Sequence, residues 1–336
     1  MLIVIKSKPK QSVIFFICVF IDLQSIKISS MSIEKDVKNY NSENKNTKVS
    51  DIESRPEPLK VLMCSPTYFD IIDVKNTHML GQNGNLKKDL ARQQWQSLHD
   101  IYLQLKADAV VEDVMVIDGA AGCEDMVFCA NQTFPWFDKR VVISKMRHPS
   151  RQKEVPFFEA YFSALGYQAI HLQEAKMFEG MGDTIPHPHK KLLYGGYGHR
   201  SDPKAYDEIS KTLQVPIIRL ELPNPNFYHL DTCFVPLSES EVMLCREAFT
   251  AEGLEIIEKL FSKVFYIPKS EAINTFCLNA HVIHNDKNGK KAAILQKGSV
   301  HALEALKQCG YTIYETETSE FMKSGGSVFC MKMMIY

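Results

Sequence analysis

Three residues at well-separated positions have the side chains that a cysteine-dependent enzyme needs: Cys330, His229 and Glu179. A cysteine thiolate attacks an electrophilic carbon, and a nearby imidazole exchanges protons with the sulfur and with the leaving group. A carboxylate that pairs with the imidazole fixes its orientation and favours its protonated form. We therefore expect Cys330 to be the nucleophile, His229 its acid/base partner and Glu179 the carboxylate that supports the histidine.

Two further acidic residues, Asp125 and Asp231, indicate the charge of the substrate. Extra carboxylates beside a nucleophile do not suit acyl transfer, in which developing negative charge must be stabilised. They suit a planar cation such as a guanidinium, whose N–H groups pair with carboxylates in a fork. The pattern therefore favours a cationic substrate such as a guanidinium.

Residues of this kind recur at nearly even intervals along the chain. Each lies between a polar loop and a short apolar segment that is typical of a β-strand. Asp125, Glu179, His229, Asn279 and Cys330 follow one another at spacings of 54, 50, 50 and 51 residues. A closed ring of five like units, each covering the apolar face of its neighbour, would bring all five junctions to one axis.

The segments between these junctions share one pattern. An amphipathic helix ends at a glycine, which accommodates a left-handed turn, and β-forming residues follow it. The pattern is clearest in residues 162–170, around Gly166, and in residues 306–313, around Gly310. The sequence therefore predicts a repeating α/β fold.

Length, composition and charge fit a globular protein that acts on a small molecule. The 336 residues are 45% hydrophobic, which is enough for a large core in one or two domains. With 39 basic and 40 acidic residues the formal net charge is −1, so no overall field attracts nucleic acid or an anionic membrane. The nine cysteines include no CxxC pair, a pattern that is typical of a reducing compartment. We predict a cytoplasmic protein.

The first 58 residues differ in character from the rest. Residues 13–21 form an apolar run after three lysines, but nine residues cannot span a bilayer and no small-x-small cleavage site follows. Met31 is an alternative start, while a working signal or a buried segment are other interpretations of residues 1–30. Residues 32–58 are polar and rich in Asn, Lys and Ser, as in a disordered tail. We expect a leader and tail at 1–58 and a single catalytic domain at 59–336.

Three motifs, in order, resemble the amidinotransferase and arginine deiminase superfamily of guanidine-modifying enzymes. They are Phe178-Glu-Gly-Met-Gly-Asp183, Tyr228-His-Leu-Asp-Thr-Cys-Phe-Val-Pro236 and Ser324-Gly-Gly-Ser-Val-Phe-Cys330. The resemblance extends from about Val61 to Tyr336. It implies a fivefold pseudosymmetric α/β propeller (pentein) of ββαβ modules, with a fold like that of dimethylarginine dimethylaminohydrolase. It also implies that Cys330 attacks the guanidino carbon, that His229 shuttles protons with the support of Glu179, and that Asp231 pairs with the guanidinium.

Within this superfamily the chain most resembles the arginine dihydrolases, which convert arginine to ornithine, ammonia and carbon dioxide. The similar segments are Met63–Asp70, Lys75–Met79, Asp125–Asn131 and Met146–Gln152. The resemblance implies that Arg147 holds the α-carboxylate of the substrate and that Asn76 and Asn131 lie near the reacting group. Typical deiminases have an aspartate at the position of Asn131. A neutral amide there leaves room and polarity for water to attack the citrulline-like product, which favours a second hydrolysis.

Two departures from the family pattern leave the substrate open. Lys75-Asn-Thr-His-Met79 replaces the more usual Ile-Asn-Pro-aromatic-Met, and Phe329 precedes the cysteine where polar residues are common. A methylated arginine, agmatine or another guanidine remains an alternative substrate. A single hydrolysis of arginine, as in an arginine deiminase, and amidino transfer to an amine remain alternative reactions. Outside the enzymes, the alternative is a propeller that binds arginine or a protein partner without turnover.

The resemblance implies no cofactor. His187 and His189 have no carboxylate or second cysteine at ligand spacing, so we predict no metal site. The partner that we expect is a small guanidine substrate rather than nucleic acid or a membrane, and assembly into a homo-oligomer is left open.

Overall fold

The structure is a computed structural model that describes residues 49–336. Its strands are β1 Lys60–Cys64, β2 Asp113–Ile117, β3 Thr133–Pro135, β4 Arg140–Ile143, β5 Gln168–His171, β6 Thr184–Pro186, β7 Leu193–Tyr197, β8 Ile217–Glu221, β9 Phe234–Pro236, β10 Glu241–Leu244, β11 Lys263–Tyr266, β12 His281–Asn285, β13 Lys290–Gln296, β14 Thr312–Thr316 and β15 Lys332–Ile335. Its helices are α1 Lys88–Ala107, α2 Pro149–Gln152, α3 Val155–Ala164, α4 Gly180–Asp183, α5 Pro203–Leu213, α6 Ala251–Leu260, α7 Lys269–Thr275, α8 His301–Gln308 and α9 Ser319–Met322. Within residues 49–336, none of the helices has the length and apolar character that crossing a membrane requires.

The strands form five small sheets with one repeated topology. The strand orders are β15-β1-β2, β3-β4-β5, β6-β7-β8, β9-β10-β11 and β12-β13-β14. In each sheet the first strand runs antiparallel to the middle strand, and the third runs parallel to it. A helical connection joins the parallel pair, because parallel neighbours need a crossover. The predicted α/β propeller of five ββαβ modules is confirmed.

One sheet is built from both ends of the catalytic region. Strand β15, which follows Cys330, pairs antiparallel with β1, and Val61 lies opposite Met334 in this register. Both strands are almost wholly buried. This pairing joins the end of the chain to β1, as a closed ring requires, and it fixes Cys330 beside the first strand.

The modules bury apolar faces in the way that the repeat predicts. Helix α1 turns Trp95, Leu98, Tyr102 and Leu105 towards the core at spacings of three and four residues. At the ends of two helices, Gly166 and Gly310 have φ values of 78° and 74°, a region that favours glycine. The two repeat copies identified from sequence therefore have the predicted helix, turn and strand.

The junction residues all precede the first strand of a sheet. Asn131 and Asn279 each lie two residues before a strand, β3 and β12, and Cys330 lies two residues before β15. Glu179 precedes α4 and β6, while His229 precedes a 3₁₀ turn, Leu230–Thr232, and β9. The fold thus collects these side chains at one end of the five first strands.

Residues 54–57, which the sequence assigned to a disordered tail, have defined contacts. Arg55 is buried, its backbone N–H donates to His189 O at 2.8 Å, and its guanidinium lies 2.8 Å from Glu57 Oε1. Ser54 also pairs with Lys190 in an isolated bridge. The prediction that disorder extends to residue 58 is corrected, because backbone pairing and an ion pair hold residues 54–57 without apolar burial. The predictions for residues 1–48 lie outside the described residues.

Candidate active site

The structure brings Glu179, His229, Asp231 and Cys330 together although they span 151 residues of the chain. Each is at most 2% exposed. Buried charged groups are rare unless they are paired, and such clusters mark candidate functional sites. The cluster consists of an imidazole–carboxylate pair and a thiol–carboxylate pair.

The imidazole–carboxylate pair has the predicted members. His229 Nε2 lies 2.7 Å from Glu179 Oε2, and the same oxygen accepts a hydrogen bond from Arg200 Nη1 at 2.9 Å. The other carboxylate oxygen, Oε1, accepts from the backbone N–H of Arg147 at 3.0 Å. His229 Nδ1 is buried without a hydrogen-bond partner. The carboxylate is therefore fixed from three sides, and one ring nitrogen is free to exchange a proton.

The sulfur of Cys330 is held by two side chains. Cys330 Sγ lies 3.2 Å from Asp231 Oδ2 and 3.2 Å from Asn279 Nδ2. Asn279 also accepts backbone N–H bonds from Ser327 and Cys330 through Oδ1, both at 3.1 Å. Asn279 thus fixes the loop before β15 and places the sulfur. Sequence analysis identified it as a junction residue but assigned it no role in the site.

Burial and neighbouring charges set the protonation states. Burial raises the pKa of the Cys330 thiol well above its ordinary value, and the charge of Asp231 adds to this effect. Burial also raises the pKa of Asp231 to about 7 and lowers the pKa of His229 to about 4, the latter against the opposing effect of Glu179. For Glu179 burial acts upwards, but Arg200 and His229 bring its pKa below its ordinary value. The site therefore holds a neutral thiol and a neutral imidazole beside an ionised Glu179.

Asp183 links the two loops that carry Glu179 and His229. Its Oδ2 accepts from Ser201 Oγ at 2.7 Å and its Oδ1 accepts from the backbone N–H of Leu230 at 3.1 Å. Ser201 Oγ in turn accepts the backbone N–H of Glu179 at 3.1 Å. Asp183 therefore positions these loops through hydrogen bonds to their backbone and to Ser201.

Two glycines of the motif before β6 allow a close approach that no other residue permits. A Cβ atom on Gly180, which has φ +55°, would lie 2.5 Å from Thr133 O. A Cβ atom on Gly182 would lie 2.2 Å from Asn131 Nδ2. The motif packs against the loop before β3, and this contact brings Asn131 to the site.

A small cavity of about 20 Å³ opens next to the sulfur. Its lining residues are Lys75, Asn76, Met79, Asp125, Phe128, Asn131, Arg151, Arg200, Tyr228, Ser324 and Cys330. Since one water molecule needs about 10–15 Å³ by this measure, an arginine side chain enters only when lining groups move. Three of the predicted binding residues, Asn76, Asn131 and Asp125, lie on this wall.

The two predicted asparagines differ in how much of their hydrogen-bonding capacity is used. Asn76 Oδ1 accepts from the backbone N–H of His78, and its Nδ2 donates to Ser324 O, both at 3.0 Å. Asn131 Oδ1 accepts from Arg151 Nη1 at 3.0 Å, but its Nδ2 is buried without a hydrogen-bond partner. Asn131 therefore has a donor available for a group in the cavity.

Asp125 forms an ion pair with a lysine of the same chain. Its Oδ2 lies 2.9 Å from Lys75 Nζ, which also contacts Glu124 at 3.2 Å and Asp73. Burial by itself lowers the pKa of Lys75, but Asp125 and Asp73 raise it above its ordinary value. A charged Lys75 therefore fills the acidic pocket that the sequence assigned to substrate, at the position where the motif departs from the family pattern.

Arg147 lies outside the wall of this cavity. Its side chain is exposed, donates from Nη1 to His199 O at 2.6 Å and does not line the cavity. The buried arginines on the wall are Arg151 and Arg200. Helix α2 begins at Pro149 and turns the second arginine of the same motif inwards, and the role of Arg147 stays a prediction. The sequence offered no signal for Arg200 beyond its arginine side chain.

Comparison with known proteins places this geometry in context. Residues 66–336 match the family model described as N,N dimethylarginine dimethylhydrolase, eukaryotic. Two bifunctional arginine dihydrolase/ornithine cyclodeaminases, AgrE of Nostoc sp. and ArgZ of Synechocystis sp., are each 32% identical over 82% and 83% of the chain. The aligned region is 38% of the length of each of these two relatives.

Solved structures of one of these relatives share the fold. The crystal structure of the N-terminal domain of ArgZ bound to product is 32% identical, with a TM-score of 0.76 over 83% of this chain and 98% of that one. An Asn-to-Ser variant of that domain, covalently bound to a reaction intermediate, is 31% identical, with a TM-score of 0.75 over 82% of this chain and 97% of that one.

Proposed function

Because the chain belongs to the N,N dimethylarginine dimethylhydrolase family, whose members hydrolyse carbon–nitrogen bonds of guanidino groups, we propose that it converts L-arginine to ornithine, ammonia and carbon dioxide. The observation that carries this proposal is the contact between Cys330 Sγ and Asp231 Oδ2, 3.2 Å apart in a buried pocket beside an imidazole–carboxylate pair. A thiol next to a carboxylate suits a cationic electrophile. The bound cation stabilises both the carboxylate and the thiolate, whereas without it the two negative charges repel each other.

Substrate binding activates the nucleophile. A guanidinium beside Asp231 offsets the burial and the negative charge that raise the pKa of the Cys330 thiol. The thiolate then attacks the guanidino carbon and forms a carbon–sulfur bond, and His229 takes up the proton. His229 returns a proton to the departing nitrogen, the carbon–nitrogen bond breaks and ammonia leaves. A thiouronium cation on Cys330 remains.

Hydrolysis regenerates the thiol. Water attacks the thiouronium carbon while His229 removes its proton, and the carbon–sulfur bond breaks to leave a citrulline-like ureido group. A second water and a second release of ammonia convert the ureido carbon to carbon dioxide and free ornithine. In total two waters are consumed, and two ammonia molecules and one carbon dioxide are released for each arginine.

The amide of Asn131 is the residue that we assign to the second hydrolysis. Its Nδ2 has no hydrogen-bond partner and its Oδ1 is held by Arg151, so the group is oriented and has a free donor. A neutral donor stabilises the oxygen of the ureido group as water attacks it. A carboxylate at the same position would repel the developing negative charge. Both the oxygen and the nitrogen of the Asn76 amide are already hydrogen-bonded to backbone groups, so Asn76 orients the wall of the cavity.

We keep Arg147 as the group that holds the α-carboxylate of the substrate. The donors of the buried Arg151 are used by Glu154, Asn131 and backbone oxygens, and Arg200 is bonded to Glu179 and to Lys75 O. Arginine presents a planar fork that binds carboxylates through two bonds. Asp231 and, once Lys75 moves aside, Asp125 pair with the guanidinium.

The description of the matching family favours a second candidate, hydrolysis of N-methylated arginine. That reaction releases a methylamine and stops at citrulline. The neutral Asn131 amide and the dihydrolase relatives at 32% identity favour L-arginine and a second hydrolysis instead. A cytoplasmic site of action is part of the same proposal, and it is supported by the eight free cysteines of residues 49–336.

The test is to trap the enzyme-bound intermediate and identify the released amine. The full chain is mixed with L-arginine or with asymmetric dimethylarginine, quenched in acid and measured by intact-mass spectrometry, with amines quantified in parallel. We expect a covalent adduct on the wild type and on Cys309→Ser, a matched control on the far side of α8, but none on Cys330→Ser. Ammonia from L-arginine supports the proposal. Turnover of dimethylarginine alone, with dimethylamine released, would refute it in favour of the second candidate.

A further inference from the structure

A second cavity lies in the described part of the chain, and it shares no lining residue with the candidate active site. Its volume is about 100 Å³, several times the 10–15 Å³ that one water molecule needs. The first strands of four sheets, β6, β9, β12 and β15, contribute to its wall, and residues 55–58 of the N-terminal segment cover one side. We call it the second cavity.

Lys332 is the unusual group in this wall. It is 0% exposed, and its Nζ has no hydrogen-bond partner. Its closest recorded neighbour is the ring of Phe329, whose centroid lies 3.2 Å from Nζ. An ammonium normally donates three hydrogen bonds, so a buried one without an acceptor is costly to maintain. The cation–π contact compensates for only part of this cost.

Lys332 faces four other titratable groups. Asp231, Cys129 and Cys330 favour the charged form of Lys332. The charge of Lys332 in turn lowers the pKa of His281, whose burial acts in the same direction. Burial is the largest effect and lowers the pKa of Lys332 to about 7. Near neutral pH the side chain is therefore poised between a neutral amine and an ammonium that lacks an acceptor, and an anion would select the ammonium.

On the wall of the second cavity, no carboxylate pairs with Lys332. Glu57 is the carboxylate on that wall, but its Oε1 is paired with Arg55 at 2.8 Å and accepts the backbone N–H of His189 at 2.6 Å. Glu57, Val282 and His284 are only half-buried, so the cavity is reached from that side. An anion that enters there meets Lys332, whose Nζ has no hydrogen-bond partner.

The wall beside Lys332 is apolar, and this determines the class of anion. Ile185, Phe234, Val235 and Met334 surround the space, and Lys332 and Met334 point to the same face of β15 because they are two residues apart. We propose that the second cavity binds a short-chain monocarboxylate of about the size of acetate, with its carboxylate on Lys332 Nζ and its alkyl group on this wall. The site does not depend on the reaction proposed above.

Methionine methyl groups allow the two cavities to be observed separately. Met334 and Met181 line the second cavity, and Met79 lines the cavity at Cys330. The full chain is labelled with ¹³C-methyl methionine, and the 14 signals are assigned where needed by Met334→Leu and Met79→Leu. Sodium acetate and sodium butyrate are titrated at constant ionic strength against sodium chloride.

We expect acetate to shift the Met334 signal with a dissociation constant on the order of 1 mM, while Met79 is unchanged and chloride has no effect. Lys332→Met should abolish the shift and Lys332→Arg should retain it. If Lys332→Met does not fold, the wild-type titration at several pH values decides the matter. Affinity should fall by about tenfold for each pH unit above the pKa of Lys332. A shift at Met79 without one at Met334, a shift that survives in Lys332→Met, or an affinity independent of pH would overturn the proposal.

Discussion

Replacing Asn131 by aspartate tests whether the neutral amide permits the second hydrolysis. The change keeps the shape of the side chain and preserves the acceptor for Arg151 Nη1, which lies 3.0 Å from Oδ1. It removes the Nδ2 donor, which has no hydrogen-bond partner in the buried site, and it adds a negative charge there. We expect the Asn131→Asp enzyme to release citrulline in place of ornithine.

The size of the effect follows from the single donor that is lost. A hydrogen bond to a group that develops charge in a buried site is worth about 1.5–3 kcal/mol, or about 10- to 150-fold in rate. We expect ornithine formation to fall by that factor. Citrulline formation should change by less than about tenfold, because Cys330, His229 and Glu179 retain their contacts.

Asn131→Ser separates the lost donor from the added charge. Both variants are assayed with L-arginine by quantifying citrulline and ornithine in the same quenched samples. If the amide donor is essential, both variants accumulate citrulline, whereas if the charge alone matters, only Asn131→Asp does. Ornithine production by Asn131→Asp at the wild-type rate would refute this reasoning.

Three further predictions concern packing, pH and the N-terminal segment. Gly182→Ala should reduce ornithine formation by more than about tenfold while the chain remains folded by circular dichroism, because the new Cβ would lie 2.2 Å from Asn131 Nδ2. Burial lowers the pKa of His229 from 6.5 to about 4, so the unfolded chain binds a proton first as pH falls between these values. His229 should therefore contribute a loss of up to about 3 kcal/mol of stability in that window, measured as the difference between the pH dependence of urea unfolding of the wild type and of His229→Gln. Asp231, whose raised pKa acts in the opposite direction, is present in both chains. Arg55→Ala should cost about 2–4 kcal/mol by leaving Glu57 without its partner, and a chain starting at Leu59 should be similarly weakened relative to one starting at Val49.

The repeat and the reactive groups were predictable from sequence for a physical reason. Each junction combines a polar residue with the start of a buried strand, so the spacing of Glu179, His229 and Cys330 reflects the length of one module. The five sheets of like topology follow from the same pattern. The hydrogen bond between His229 and Glu179 could be anticipated because imidazole and carboxylate side chains form a common pair.

The residues that sequence analysis missed depend on contacts between distant loops. Arg200 approaches Glu179 because the segment after β7 folds back over the site, and no local pattern distinguishes it from Arg147. Asn279 fixes the Cys330 loop from a neighbouring module, 51 residues away. The N-terminal segment was assigned to disorder by its composition, although the ion pair of Arg55 requires no apolar sequence.

The most direct test of a Cys330-dependent double hydrolysis is a ¹³C NMR time course with L-arginine labelled at the guanidino carbon. The full chain and Cys330→Ser are followed in parallel at neutral pH. We predict that the wild type converts the labelled carbon to bicarbonate, with ornithine formed and no build-up of citrulline, and that Cys330→Ser leaves the arginine signal unchanged. Citrulline as the final product would contradict the second hydrolysis, and turnover by Cys330→Ser at the wild-type rate would contradict the role of the cysteine.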